Sequence, residues 1–130
     1  MIIKILYVAV GGALGSILRF FVSNFCKIYF PYFPIGTLFV NIIGSFFIGL
    51  FVSYLNNKEV SEIIVRYFFI IGLLGSFTTF SAFSIETLEL FKQDKVFLSS
   101  LYVVLSIILS IFAAYAGFIL MNIIWLIKKT

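Results

Sequence analysis

The sequence contains no histidine and a single cysteine, Cys26. Without a second cysteine the chain cannot close an internal disulfide or supply a multi-cysteine metal site. Without histidine it lacks the side chain that most often acts as a general base in enzymes. The remaining side chains offer no recognisable pair of nucleophile and base, so we do not expect an enzyme.

Charged residues are also scarce. They make up 11% of the 130 residues, against about a quarter in ordinary soluble domains. Hydrophobic residues reach 63% and aromatic residues 20%, with a mean hydropathy of +1.23. This composition predicts an all-α membrane protein. The net charge of +4 does not indicate nucleic-acid binding, because the cations lie mostly at the ends of apolar segments, where they anchor helices at the membrane interface.

Four apolar segments, each long enough to cross a hydrocarbon core of ~30 Å, divide the chain. They cover about 2–26, 35–55, 63–91 and 96–127, with short loops between them. The first segment does not resemble a secretory signal, which has an apolar core of about 7–15 residues and a polar mature chain behind it. Because the sequence has no long repeat or linker, we predict a single four-helix transmembrane domain over 1–130.

The third segment is too long, and too polar at its centre, for one straight helix. As an α-helix it would span ~43 Å, against a core of ~30 Å. Midway, between Leu74 and Ser84, three phenylalanines alternate with glycine, serine and threonine. Backbone that leaves the helix at this depth must be buried in protein or line a wet cavity, because unpaired backbone groups in lipid cost several kcal/mol each. We therefore predict a broken third helix at a binding site or pore.

Two lines of polar side chains accompany this break. Each has a spacing of four residues, which keeps its members on one helix face. They are Thr37, Asn41 and Ser45 in the second segment, and Tyr102, Ser106 and Ser110 in the fourth. A serine can bond the preceding carbonyl of its own helix. The amide of Asn41 either bonds another helix, which is worth about 0.6–2 kcal/mol, or donates to a passing anion, and both interpretations stay open. Together the two lines and the break are typical of the walls of one narrow path.

Past the break, Phe80, Phe83 and Glu86 are three residues apart and share a helix face. Aromatic residues at helical spacing usually only pack. Because hydroxyl side chains surround these two rings, we interpret them as part of the path, with Glu86 one turn further towards the membrane surface.

The first segment contains a cation and two glycines of note. Gly11 and Gly15 are four apart, a spacing that lets a neighbouring helix backbone come close. Arg19 lies about four residues, or ~6 Å, past the middle of the segment. A buried arginine is costly in a membrane, so this side chain either extends to the nearer interface or draws anions into a vestibule.

The distribution of cations gives the chain little preference for one orientation. Four spans place both termini and the second loop on one side. That side carries Lys4, Lys58, Arg66, Lys128 and Lys129, and the other carries Lys27, Lys92 and Lys95, with Arg19 if it extends that way. Since the Lys and Arg difference sets orientation, nearly equal counts predict insertion in both orientations. Four helices are too few to enclose a path, so we expect an antiparallel homodimer.

Three stretches resemble the signature sequences of the Fluc/CrcB family of fluoride channels. They are GGALGSILRF (11–20), GTLFVNIIGSF (36–46) and GSFTTFSAF (75–83), and the resemblance covers nearly the whole chain. It implies an antiparallel homodimer in the bacterial inner membrane, with two pores through which cytoplasmic fluoride leaks out. Fluoride, a second copy of the chain and membrane lipid would be the partners.

By position, the resemblance makes Asn41 the amide donor of the pore, and Phe80 and Phe83 its aromatic box. It implies that Gly75 and Thr78 offer backbone carbonyls to a structural sodium ion shared by both subunits. It places Arg19 towards a vestibule. The residues that it assigns to a polar track beyond the box are Thr79, Ser81, Glu86, Ser106 and Ser110.

Two other function classes compete with this one. A small multidrug or cation exporter also has four short helices and often dual topology. It needs a membrane-buried carboxylate, typically in the first helix, and 2–26 contains no Asp or Glu. A structural membrane subunit would fit the composition but leaves the polar lines and the break unexplained. We therefore expect a fluoride-selective channel, with the exporter as the alternative.

Overall fold

The computed structural model describes residues 1–56 and 63–129, and every regular element within these ranges is helical. Within the described residues, four helices are long and apolar enough to cross a membrane. The uninterrupted ones are α1 (Ile2–Tyr29), α2 (Ile35–Asn56) and α5 (Val96–Lys129), and the third span covers Ile64–Lys92. This confirms the predicted all-α membrane fold. Because α1 continues to Tyr29, the first loop begins later than expected. The polar connection predicted over 56–62 includes Lys58, and beyond Asn56 it lies outside the described residues.

The third span is broken, as predicted. It consists of a π-helical segment (Ile64–Leu74), the single turn α3 (Gly75–Phe77) and α4 (Phe80–Lys92). Only two residues leave the helix, Thr78 with φ −78° and ψ 155° and Thr79 with φ −152° and ψ 123°. The break is therefore narrower than the stretch 74–84 from which it was predicted.

Threonine hydroxyls explain why the break is so short. Thr78 bonds the carbonyl of Leu74 twice, through its N–H at 3.0 Å and its Oγ1 at 2.9 Å, which ends the first half of the span. Thr79 then caps the next helix, because its Oγ1 accepts the N–H of Ala82 at 3.1 Å. Such caps satisfy a backbone donor that the first turn of a helix leaves unpaired. Two adjacent threonines thus end one helix and begin the next.

Close backbone contacts at glycines hold the spans together. On α1, a Cβ at Gly11 would meet the carbonyl oxygen of Phe68, and one at Gly15 would meet that of Leu73. Both glycines are buried, which confirms that they serve the packing of α1 on the π-helical segment.

Among the described residues, α2 and α5 pack extensively against each other. At this crossing Gly49 lies against the backbone of Ala114, and Gly117 lies against that of Phe46. The absence of a Cβ lets the two backbones approach closely. As a result Asn41 and Ser45 on α2 come to lie on the same side of the molecule as Ser106 and Ser110 on α5.

Each end of the molecule can be recognised from its contacts. At one end Lys4 Nζ lies 4.9 Å from the ring centroid of Tyr67. At the other end Lys95 Nζ lies 5.6 Å from the ring of Tyr32. The first loop and the turn between α4 and α5 therefore share one end of the molecule, which we call the first-loop end.

Candidate functional site

An open groove of about 410 Å³ lies beside the break, between α2, α4 and α5. The residues that line it are Asn41, Ser45, Gly75, Thr78, Thr79, Phe80, Phe83, Ser106, Ile107, Ser110 and Ile111. The structure thus brings together all the residues predicted for the pore except Ser81 and Glu86. Both carbonyl residues predicted for a cation lie at the same groove.

The amide of Asn41 is bonded to the break itself. Its Oδ1 accepts the backbone N–H of Thr79 at 2.7 Å, and its Nδ2 donates to the carbonyl of Thr79 at 3.0 Å. The interhelical hydrogen bond considered from the sequence is therefore present. An asparagine amide has two N–H groups, and within residues 1–56 and 63–129 the second one makes no hydrogen bond. This N–H is available to a ligand, because Asn41 is only partly buried and lines the groove.

The two phenylalanines of the groove touch each other but differ in exposure. Their ring centroids are 5.3 Å apart, with planes at 48°. Phe83 is 8% exposed, whereas Phe80 is 77% exposed. The edge of an aromatic ring carries the positive end of its quadrupole. Phe83 can therefore present an edge from the inner wall of the groove, and Phe80 from its outer rim.

The serines of α5 supply hydroxyl groups to the same groove. Ser106 is 6% exposed, and its Oγ has no hydrogen-bond partner among the described residues. Ser110 is partly buried one turn further along. A buried hydroxyl without a partner costs about 1–3 kcal/mol. Ser106 therefore places a buried hydroxyl, without a hydrogen-bond partner among the described residues, in the wall of the groove.

Two carbonyls at the break lose the donors that a continuous helix would give them. In an α-helix the carbonyl of residue i accepts the N–H of residue i+4. The donor for Gly75 would be Thr79, whose N–H donates to Asn41 instead. The donor for Thr78 would be Ala82, whose N–H donates to the hydroxyl of Thr79. Carbonyl oxygens of this kind can coordinate a hard cation.

Glu86 lies in a second cavity, of about 670 Å³, at the first-loop end of the molecule. Its Oε1 accepts a hydrogen bond from Thr37 Oγ1 at 2.7 Å, and its Oε2 accepts one from the Tyr102 hydroxyl at 2.7 Å. Thr37 is 2% exposed and Tyr102 has no exposed surface. Two buried donors, one on α2 and one on α5, thus hold the carboxylate in one orientation. The polar lines contained both residues, but the sequence did not indicate that they meet at Glu86.

Two of the residues assigned from the resemblance lie away from both cavities. Ser81 is exposed, with its Oγ 3.2 Å from Thr79 Oγ1. Arg19 is partly buried on α1 and lines neither cavity. A role for Ser81 in the polar track and for Arg19 at a vestibule stays a prediction.

Comparison with known proteins gives a consistent result. A family model described as CrcB-like protein, Camphor Resistance (CrcB), matches residues 6–118. A protein of Rhizobium etli named fluoride-specific ion channel FluC is 42% identical over 121 residues, which are 92% of this chain and 97% of that protein. A protein of the same name from Agrobacterium fabrum is 44% identical over 116 residues, covering 88% of this chain and 93% of its own. Another protein of this name, from Campylobacter jejuni, is 44% identical over 121 residues, which are 92% of this chain and 98% of that protein.

Proposed function

Because the chain belongs to the CrcB family, in which these relatives are named fluoride-specific ion channels, we propose that it is a fluoride-selective channel of the bacterial inner membrane. The family consists of ion channels, so the chain is not an enzyme. The observation that carries the proposal is the groove beside the break. There an unused amide N–H, a buried hydroxyl without a partner among the described residues and two phenylalanine rings come together.

This set of groups suits fluoride for a physical reason. Fluoride is the most strongly hydrated halide, so a pore must replace its water with hydrogen-bond donors. It must not bind the ion tightly, because conduction requires that the ion can also leave. One amide N–H, a few hydroxyl groups and ring edges are weak donors. Since the described residues that line the groove include no charged side chain, the anion would meet neither a strong trap nor a repelling carboxylate within the groove.

We also propose that the ion moves passively. An ion driven by its own gradient needs a continuous path and no coupled proton or cation. At the first-loop end, Lys27 and Lys95 line a cavity that also contains Glu86 and Glu89, so two cations face two carboxylates there. In this proposal cytoplasmic fluoride reaches the groove from one membrane face and leaves the cell down its gradient.

We further propose that two copies form the channel, in opposite orientations. Phe80 is 77% exposed, and Gly75 and Ser81 are exposed beside the break. A lipid-facing break in a helix is not tolerated in the hydrocarbon region, so another protein surface must cover it. A second copy, related by a two-fold axis in the membrane plane, would cover both breaks at once and complete two equivalent pores.

A sodium ion at this interface would coordinate the carbonyls that the break leaves without helical donors. The carbonyls of Gly75 and Thr78 lack their helical donors, and Gly75 is exposed on the surface that we assign to the dimer. A monovalent cation bound between the copies would accept oxygen ligands from both of them. We therefore propose a structural sodium site here that contains no carboxylate.

Reconstitution of the purified protein in liposomes loaded with fluoride tests the function. We expect fluoride efflux, measured with an ion-selective electrode, when a potassium ionophore balances the charge and no other gradient is applied. The variant Phe97→Leu, at a residue 79% exposed on α5, is a matched control that should behave as the wild type. Equal rates for fluoride and chloride would contradict selectivity. Efflux only with a coupled proton or cation gradient would favour the exporter.

A further inference from the structure

A series of four aromatic rings connects the first loop to the groove. Phe33 in the loop meets Tyr102 edge-on, with ring centroids 5.6 Å apart and planes at 81°. Tyr102 lies 5.3 Å from Phe83, and Phe83 lies 5.3 Å from Phe80. We call these four residues the ring series. One end of it lines the groove, and the other end, Phe33, does not.

Tyr102 is the ring on which this series depends. It has no exposed surface, and its hydroxyl donates to Glu86 at 2.7 Å. That hydrogen bond fixes the position of the hydroxyl but not the plane of the ring, because a phenol can turn about the axis that joins its Cβ to its oxygen. The plane must therefore be set by the groups packed on the ring, which among the described residues include the rings of Phe33 and Phe83.

The loop backbone gives Phe33 a defined position. The residue before a proline is restricted to extended conformations, and Pro34 follows Phe33. The N–H of Ile35 donates to the carbonyl of Phe33 at 2.8 Å, which closes a three-residue turn about Pro34. The carbonyl of Pro34 then accepts the N–H of Leu38 in the first turn of α2, at 3.2 Å. The ring of Phe33 is thus presented to Tyr102 by backbone that is tied to α2.

We propose that Phe33 is a positioning residue for the fluoride path. By setting the plane of Tyr102, it sets the edge that Phe83 presents to the anion and keeps the Tyr102 hydroxyl on Glu86. The inference rests on the proposed function and extends it to a residue outside the groove. It makes the first loop a determinant of conduction, although the loop does not touch the groove.

The variant Phe33→Leu removes the ring while keeping an apolar side chain. We expect fluoride efflux to fall by about twofold to tenfold, the range that corresponds to the loss of one aromatic pair. Phe33→Tyr keeps the ring beside the cavity that Phe33 lines, and it should restore the wild-type rate. Phe97→Leu is the matched control, since that ring is exposed on α5. If Phe33→Leu does not assemble, Phe33→Met takes its place.

Two further measurements separate positioning from general destabilisation. In a Tyr102→Leu background, Phe33→Leu should have no further effect on efflux, because the ring through which it acts is gone. A fluorinated tyrosine at position 102 should show a shifted ¹⁹F resonance in Phe33→Leu and an unchanged one in Phe97→Leu.

The possible outcomes are distinct. Absence of fluoride efflux from the wild type would overturn the proposed function, and this inference with it. If the wild type conducts and Phe33→Leu matches Phe97→Leu in rate, the inference alone is overturned. Equal effects of Phe33→Leu with and without Tyr102 would overturn it as well, as would a resonance at position 102 that does not respond.

Discussion

Replacing Asn41 by leucine removes two hydrogen bonds from the backbone of the break. The amide holds the N–H of Thr79 at 2.7 Å and its carbonyl at 3.0 Å. Leucine is similar in size, so the packing of α2 changes little and the loss falls on Thr79. The substitution also removes the second amide N–H, which in our proposal donates to the anion.

The expected magnitudes differ for stability and conduction. A hydrogen bond between membrane helices is worth about 0.6–2 kcal/mol, so loss of both should lower the free energy of unfolding by about 1–4 kcal/mol. A hydrogen bond to a charged group is worth about 1.5–3 kcal/mol. Its loss should reduce fluoride flux by about tenfold to a hundredfold, measured per folded dimer.

Asn41→Asp separates the two roles. A carboxylate oxygen can still accept the N–H of Thr79, so we expect this variant to keep part of the stability that leucine loses. It has no N–H donor and adds a negative charge, so it should conduct no better than Asn41→Leu. Fluoride efflux from liposomes and unfolding in detergent measure the two effects. Wild-type efflux from Asn41→Leu would refute the role of the amide as a donor, and unchanged unfolding would refute the value given to its bonds.

Three other predictions use the same assays. Phe80→Ile and Phe83→Ile keep the bulk of the side chain but lose the positive ring edge, so each should reduce fluoride efflux far more than it reduces dimer stability; wild-type efflux from both would mean that the rings only pack. Replacing sodium by a large organic cation on both sides should weaken the dimer and abolish efflux, whereas efflux independent of sodium would count against the cation site. Two lysines added to the first loop should force one orientation and abolish activity, and a co-expressed copy with extra lysines after α2 should restore it. A C-terminal cysteine tag that reacts from one membrane face only in the unmodified protein would contradict dual topology.

The parts of the structure that follow from local sequence were predictable. Apolar length places four spans, and the density of hydroxyl residues places the break. The break was predicted from the stretch 74–84, but Gly75 in that stretch stays helical, with φ −62° and ψ −29°. Its exact extent was therefore not predicted. The two threonines explain this afterwards, since their hydroxyls satisfy Leu74 and Ala82 and so confine the non-helical backbone to two residues.

The partners of the polar side chains could not be predicted from spacing. Helical periodicity places Phe80 and Phe83 on one face. It does not predict that α5 covers Phe83 and leaves Phe80 exposed. In the same way, the spacing of Thr37 and Tyr102 assigns each to a line on its own helix. Their meeting at Glu86 depends on how α2, α4 and α5 pack, which no single segment encodes.

The hydrogen bonds of the break connect the anion path to the cation site. Asn41 takes the N–H of Thr79, and this same bond deprives the carbonyl of Gly75 of its helical donor. If the amide were absent, the N–H of Thr79 would be free to return to Gly75, and the break could rewind towards a continuous helix. The side chain that we assign to the anion therefore also keeps open a carbonyl that we assign to sodium. A cation held there would in turn lower the electrostatic energy of an anion in the neighbouring groove, since opposite charges attract strongly where water is scarce. In this proposal, the pore, the cation site and the covered face of the dimer depend on the same two extended residues.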